Sequence, residues 1–420
     1  MKNLFLTALW ILLISACSKS TTSDNIEPPP NNVPGVITAS DKSLIESTNN
    51  FGFKLFREIS ASEDIGDNIF ISPLSVSFAL GMTYNGAGGD TREAMAATLE
   101  YASLTVDEIN QSYRQVIDLL TDLDPYVAMQ IANSIWHRTG LPVEPTFIQV
   151  NQDYFDALVR EMDFLDPGTA DTINNWVNDN TEGKIDKIVE PPIDPDMVMF
   201  LINAVYFKAG WTLPFDVSLT QDMPFYLAED QYEYRPFMMT DTNFLYLEND
   251  LFQAIDLPYG DEKFSMTVFL PRDSVTVDDL IAEFTAENWA EWTDSFIERN
   301  VTLLLPKFKF RYKKELNGVL EAMGMQIAFD PLGADFGNMV DMTQMGGNNL
   351  YISTVLHKSF VQVDEEGTEA AAVTMVGVGV TAIPVDPVMV VNRPFLFVIR
   401  EHETESALFI GKVADPIWEE

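Results

Sequence analysis

Side chains that commonly carry chemistry are thinly supplied in this chain of 420 residues. Histidine occurs at His137, His357 and His402, and no two stand at a spacing that would share a metal ion. The sequence holds no Gly-x-Ser-x-Gly elbow, no phosphate-binding glycine loop and no His-Glu-x-x-His pair. Asp and Glu total 64, so two carboxylates close in sequence carry no information. His357, in Ser353-Thr354-Val355-Leu356-His357-Lys358, has apolar neighbours and reads as a hydrogen-bonded core residue rather than a base. Cys17 is the only cysteine, which excludes an intrachain disulfide and any two-cysteine redox or metal site. The expectation is a protein that is not an enzyme and needs no cofactor.

The segment from Gly367 to Ala382 is of another kind. Glu369 is its one charge, Asp364-Glu365-Glu366 precede it and Pro384-Val385-Asp386-Pro387 follow it. On a two-residue period, one face is Thr368, Ala370, Ala372, Thr374, Val376, Val378 and Val380, all small and uncharged. Such a face can slide between two strands without a clash. Gly367, Gly377 and Gly379 lower strand propensity and suit a segment that also lives as a loop.

The elements around these residues set the class. Leu44, Ile45, Thr48, Phe51, Leu55, Phe56 and Ile59 recur at helical spacing. Ser72-Pro73 starts a helix that runs through Phe78 and Leu80 and stops at Asn85-Gly86, and Asp90 with Glu93 forms a capping box for the next. Met197 to Phe207 reads as a strand buried on both faces. Phe264 to Leu270, Val301 to Phe310, Val388 to Arg400 and Ser406 to Val413 read as further strands. Helices lead and strands follow without regular alternation, so the class is α+β and the chain from about Asp41 is one large domain.

The formal charge of -39 argues against nucleic acid as a partner. Met1-Lys2, an apolar run from Leu4 to Ile14 and Ile14-Ser15-Ala16-Cys17 resemble a bacterial lipoprotein signal, too short to span a bilayer as a helix. Residues 1–16 are then the signal peptide, Cys17 takes the lipid, and residues 17–39, rich in Ser, Thr, Asn and Pro, are a flexible tether to a domain over 40–420. Ser18 after the cysteine lacks the aspartate that retains many lipoproteins in the inner membrane, which favours the outer membrane.

Four separated segments together resemble the serpin family: Asn68-Ile69-Phe70-Ile71-Ser72-Pro73-Leu74-Ser75; Phe200 to Lys208 with Trp211 after it; Asp364 to Thr374; and Asn392-Arg393-Pro394-Phe395. The resemblance covers about Ser40 to Pro416. It implies three β-sheets, roughly nine helices and an exposed reactive loop over about 365–391. It also implies a monomer that traps a serine protease as a covalent acyl complex. Residue by residue, Ser72, Ser75, Asn203 and His357 would form a polar cluster where the main sheet parts, with Trp211 where the loop first inserts. Glu365, Gly367, Thr368, Ala370, Ala372 and Thr374 would form the hinge, exposed until cleavage. Family spacing puts the cleaved bond at Thr381-Ala382, with Val380-Thr381 and Ala382-Ile383 as alternatives because the loop is about two residues longer beyond the bond than is common. No Lys or Arg lies between Glu366 and Arg393 and no aromatic between Phe360 and Phe395, which suits an elastase-like or subtilisin-like pocket. A non-inhibitory surface binding module is the alternative function, and a papain-like cysteine protease a secondary target.

Overall fold

Helix α1 (Ala39–Ser62) forms where the apolar residues recur at helical spacing, and all of those named above are buried. In this computed structural model, residues 37–101, 104–228, 230–368 and 386–419 are described. Thr38, placed in the tether by sequence, is the N-cap of α1: its hydroxyl accepts from the Asp41 N–H while the Asp41 carboxylate accepts from the Thr38 N–H. Helix α2 (Pro73–Tyr84) starts at Ser72, whose Oγ accepts from the Ser75 N–H at 3.2 Å, and ends at Asn85 as expected. Helix α3 (Gly89–Thr98) corrects the reading of Asp90. The N-cap is Gly88, whose own N–H donates to Asp335 O, so Asp90 sits inside the first turn. A tertiary contact, invisible to local spacing, sets that boundary.

The remaining helices are α4 (Val106–Asp122), α5 (Pro145–Phe155), α6 (Gly168–Asn180), α7 (Val277–Ala282) and α8 (Ala286–Asp294). A ninth, α9, runs through Asn317–Leu320, Glu321–Met325 and Gln326–Phe329, broken at Gly324 with φ 120°.

Strands β1 (Ile69–Ile71), β2 (Val127–Arg138), β3 (Leu158–Met162), β4 (Met199–Gly210), β5 (Gln221–Ala228), β6 (Gln231–Glu248), β7 (Phe252–Tyr259) and β8 (Phe264–Pro271) come first. They are followed by β9 (Ile297–Pro306), β10 (Phe308–Glu315), β11 (Leu356–Asp364), β12 (Gly367–Thr368), β13 (Val388–Val390), β14 (Phe395–Glu401) and β15 (Ala407–Val413). Two expected strands are divided. Val301 to Phe310 breaks at Lys307, whose N–H still donates to Pro236 O of β6, and its halves enter different sheets. Val388 to Arg400 breaks over Val391 to Pro394, since the Asn392 N–H turns back to Val390 O and Pro394 has none to give.

Among the described residues, hydrogen bonding joins the strands into two networks, where three sheets were expected. One is nine-stranded, in the order β1-β15-β14-β8-β7-β6-β9-β13, with β5 paired to β6; the other is β10-β11-β12-β4-β2-β3. The 18-residue β6 makes the first network continuous, because its start pairs with β5 and its end with β7. Between the networks lies the main core, where the Phe70 ring stacks on Phe409 at 5.2 Å and on Phe397 at 5.6 Å. A smaller cluster that includes Trp136, Phe164, Ile173, Val177 and Ile202 joins α6 to β2 and β4. Strand β4 therefore alternates between buried and half-buried positions and leaves neither face open.

Candidate functional site

The six-stranded sheet is closed at one end and open over the rest of its middle. At the closed end, β12 pairs on both sides: Val363 with Thr368 and Asp364 with Gly367, then Gly367 with Gly210 and Thr368 with Ala209. Away from that end, Met199 to Lys208 of β4 pair with β2, and Leu356 to Gln362 of β11 pair with β10. No described strand pairs with the facing edges of β4 and β11 there. Between them is a cavity of about 590 Å³ lined by Ser72, Ser75, Asn203, His357 and Thr368 among others. Unpaired strand edges are a template for an added strand.

Gly367 and Thr368 were expected to stay exposed until cleavage, and the structure corrects this. Thr368 is 4% exposed and its hydroxyl lies 2.6 Å from the Tyr259 hydroxyl. Burial raises the Tyr259 pKa well above its ordinary value, so the phenol keeps its proton for this bond. Gly367 is obligatory here: its φ is 150°, and a Cβ would lie 2.2 Å from Ala209 O. Trp211 packs beside them. Its ring stacks on Tyr259 at 4.6 Å, its Nε1–H donates to Asp364 O at 2.9 Å, and its N–H donates to Glu366 O at 3.0 Å.

The turn before Gly367 is held by charge. Glu365 is buried, with one carboxylate oxygen 2.6 Å from the Lys307 ammonium and the other 2.7 Å from the Thr220 hydroxyl. Burial alone would raise the Glu365 carboxyl, yet Lys307 and Thr220 outweigh it and hold the pKa below its ordinary value. The Lys307 ammonium also lies 5.2 Å from the exposed Trp418 ring.

The expected polar cluster resolves into two tethers on opposite walls of the opening. On the β11 side, His357 Nε2 accepts from the Ser72 N–H at 3.2 Å, Ser72 Oγ donates to Leu408 O at 2.9 Å, and Ser359 Oγ donates to Phe70 O. Burial pushes the His357 imidazole down to about 4, so it is neutral near pH 7 and Nε2 is free to accept. On the β4 side, Asn203 Nδ2 donates to Asn133 Oδ1 at 2.9 Å and Asn133 Nδ2 to Phe155 O at 2.7 Å. Asn203 Oδ1 is buried and accepts no hydrogen bond among the described residues. Sequence reading missed Asn133, Thr220, Tyr259 and Lys307, which join the site from distant strands and turns and carry no motif.

Ser265, His402 and Asp256 also meet, which invites a test for hydrolysis. Ser265 Oγ lies 2.7 Å from His402 Nε2, but Asp256 Oδ2 lies 3.2 Å from that same nitrogen. A relay needs hydroxyl and carboxylate on opposite ring nitrogens and an accessible hydroxyl, and Ser265 is fully buried. Burial works to raise the Asp256 carboxyl, but hydrogen bonding from His402 and the charge of Arg400 win and hold it well below the carboxylate range. The cluster binds charge and does no chemistry. Among the described residues, no group of His, Cys, Asp and Glu could hold a metal ion. Cys17, Ala370, Ala372, Thr374, Val380, Thr381, Ala382 and Ile383 lie outside the described residues.

Comparison with known proteins agrees with this geometry. The family described as serpin (serine protease inhibitor) matches residues 46–416. Human Serpin B11 is 32% identical over 397 residues, covering 89% of this chain and all of the relative. The leukocyte elastase inhibitor of Xenopus laevis is 32% identical over 386 residues with the same coverage. The crystal structure of the thermophilic serpin tengpin in the native state superposes with a TM-score of 0.80 at 34% identity, covering 91% of this chain and 96% of that one. With two sheet networks and nine helices among the described residues, in an α+β order that carries the same fold, the chain belongs to the serpin family of serine protease inhibitors, not of catalysts.

Proposed function

We propose that the protein is a suicide-substrate inhibitor of elastase-like or subtilisin-like serine endopeptidases, cut at Thr381-Ala382 or at the bond on either side. The observation that carries this reading is the pairing of Gly367 and Thr368 at the head of an otherwise open slot. The protease serine attacks the Thr381 carbonyl carbon, the bond to the Ala382 nitrogen breaks, and the new amine leaves with the proton while Thr381 stays as an ester on the enzyme. The freed segment then extends β12 down the slot on its small-residue face, carrying the tethered enzyme along. Displacements of about 1 Å in an active site can cost roughly a hundredfold in rate, so deacylation stalls. About a dozen new ladder hydrogen bonds at ~0.5–1.5 kcal/mol each supply on the order of 10 kcal/mol. That rivals the ~5–15 kcal/mol total stability of a typical domain, so the uncleaved fold is a kinetic trap.

Incubation with an elastase-like and a subtilisin-like protease should give a band near the summed masses on a denaturing gel, with the cut between Val380 and Ile383 by mass spectrometry. Clean cutting with full protease activity retained defeats the reading. In the same proposal the inhibitor acts as a monomer, anchored through lipid on Cys17 in a bacterial outer membrane after removal of residues 1–16. Stable anchoring needs more than one acyl chain, so Cys17→Ala should move the protein out of the membrane fraction. Retention of that variant after a salt wash removes the anchor.

A further inference from the structure

Strand β12 is antiparallel to both β4 and β11, so those two run parallel to each other across the opening. Thr368 joins Ala209 to Val363, and Asn203 and His357 each lie six residues back along the chain from those partners. Six is an even count, so both side chains stand at one level and on the same face of the sheet as Thr368. That face is the one turned to α2, since His357 Nε2 accepts from the Ser72 N–H. Each side chain also keeps one polar atom without a partner. Asn203 uses Nδ2 on Asn133 and leaves Oδ1 buried, an acceptor with no donor among the described residues. In His357, Nε2 accepts, so the neutral ring carries its proton on Nδ1, and that N–H donates to no described residue. The ring is 5% exposed, so bulk water does not serve it either.

The two atoms narrow what fits between them. A carboxylate only accepts, so it meets the Asn203 oxygen unfavourably; an ammonium only donates, so it meets the His357 N–H unfavourably. A hydroxyl does both: its proton goes to Asn203 Oδ1 and its lone pair takes the His357 Nδ1–H. One water would serve the pair, but the cavity of about 590 Å³ is many times the ~30 Å³ share of a water molecule. Phe70, Val76, Leu80, Leu201, Val205 and Phe207 line it as well, so the space around the hydroxyl suits an apolar body. We infer that the opening at Asn203 and His357 is a binding site for a small apolar alcohol or phenol, held by one hydroxyl between the two walls. The binding stands apart from the inhibitor reading. Its consequence rests on that reading: a molecule at this level lies in the path of an entering strand and brakes trapping.

The test uses three probes with one tail, octanol, octanoate and octylamine, on the full chain without protease. Calorimetry should give octanol a Kd about tenfold or more below the other two. The chain holds three histidines, so the His357 Nδ1–H resonance can be followed by heteronuclear NMR, and octanol should shift it. Asn203→Leu should bring the three affinities within about twofold of one another. If that variant melts too low to measure, the three probes on the wild type and the His357 resonance decide alone. Equal affinities, tightest binding by octanoate or octylamine, or a His357 signal that does not move overturns the site. No binding by any probe leaves water as the occupant and overturns it too. In a second arm, octanol at about ten times its Kd should slow trapping of an elastase-like protease about tenfold, since only the unoccupied fraction takes the strand. Tight octanol binding at an unchanged trapping rate overturns the brake. A wild type that is cut without trapping defeats the inhibitor reading and leaves the binding result standing.

Discussion

Two buried polar clusters, one in each sheet, are built on opposite principles. In the nine-stranded sheet, Asp256 binds Ser265, Thr267, Arg400 and His402 across the adjacent strands β7, β8 and β14, and the Arg400 guanidinium reaches Glu405 as well. Each strand is pinned to its neighbour through the buried Asp256 charge. In the six-stranded sheet, the two polar tethers beside the opening are neutral, and they tie each wall outward: His357 to α2, Asn203 to β2. Charge crosses strands in the closed sheet, and neutral contacts tie the walls outward beside the open slot.

Breaking the rigid side has the largest expected effect. Asp256→Ala strands the Arg400 cation in the core, and removing one partner of a buried pair costs about 3–5 kcal/mol. Cleaved and uncleaved protein should lose it equally, so the gap between their melting temperatures should persist; a gap that closes would mean this sheet takes part in insertion. Thr368→Arg comes next. It places an unpaired charge between β4 and β11, which costs several kcal/mol even after relaxation. Because Thr368 is already buried, the uncleaved protein should melt lower, and more inhibitor molecules should be consumed per protease inactivated. One-to-one inhibition at an unchanged melting temperature would put Thr368 outside the sheet in solution.

Acid sharpens the contrast. The folded His357 value of about 4 lies below the ordinary imidazole value of 6.5, so the unfolded chain binds the proton more readily. Its contribution is complete above pH 6.5 and is lost as pH falls toward 4, by roughly 3 kcal/mol at most. His357→Gln should flatten that part of the melting-temperature profile, and a wild-type slope in the variant would assign the acid sensitivity elsewhere. The smallest expected effect is Gly367→Ala, at about 1–3 kcal/mol for the strained backbone and the close approach to Ala209 O. It should slow trapping while leaving the Asp256 cluster untouched; unchanged trapping kinetics would make the β12 pairing dispensable.

What sequence made legible here was local or alternating. Ser72-Pro73 announced α2 because a cap and its proline are adjacent in the chain. The small-residue face from Thr368 read as a strand because strand period is two, and of that face the described residues include only Thr368, which is paired in the sheet. What it hid was long-range. Thr368 meets a tyrosine 109 residues away, and Glu365 meets Thr220 145 residues away. Strand β2, which supplies Asn133, sits in a half of the chain read as helical. The early burial of Thr368 was illegible for the same reason, since small residues suit an exposed loop and a sheet slot equally.

The two paired residues of β12 also bear on timing. Adding a strand from solution has a slow first step, in which a loose segment must find its register before any bond rewards the search. Here Gly367 and Thr368 already hold that register, so in the inhibitor mechanism proposed above cleavage would release a process nucleated in advance and left only to propagate. A trap that must outrun deacylation gains most from having its slowest step completed before the protease arrives.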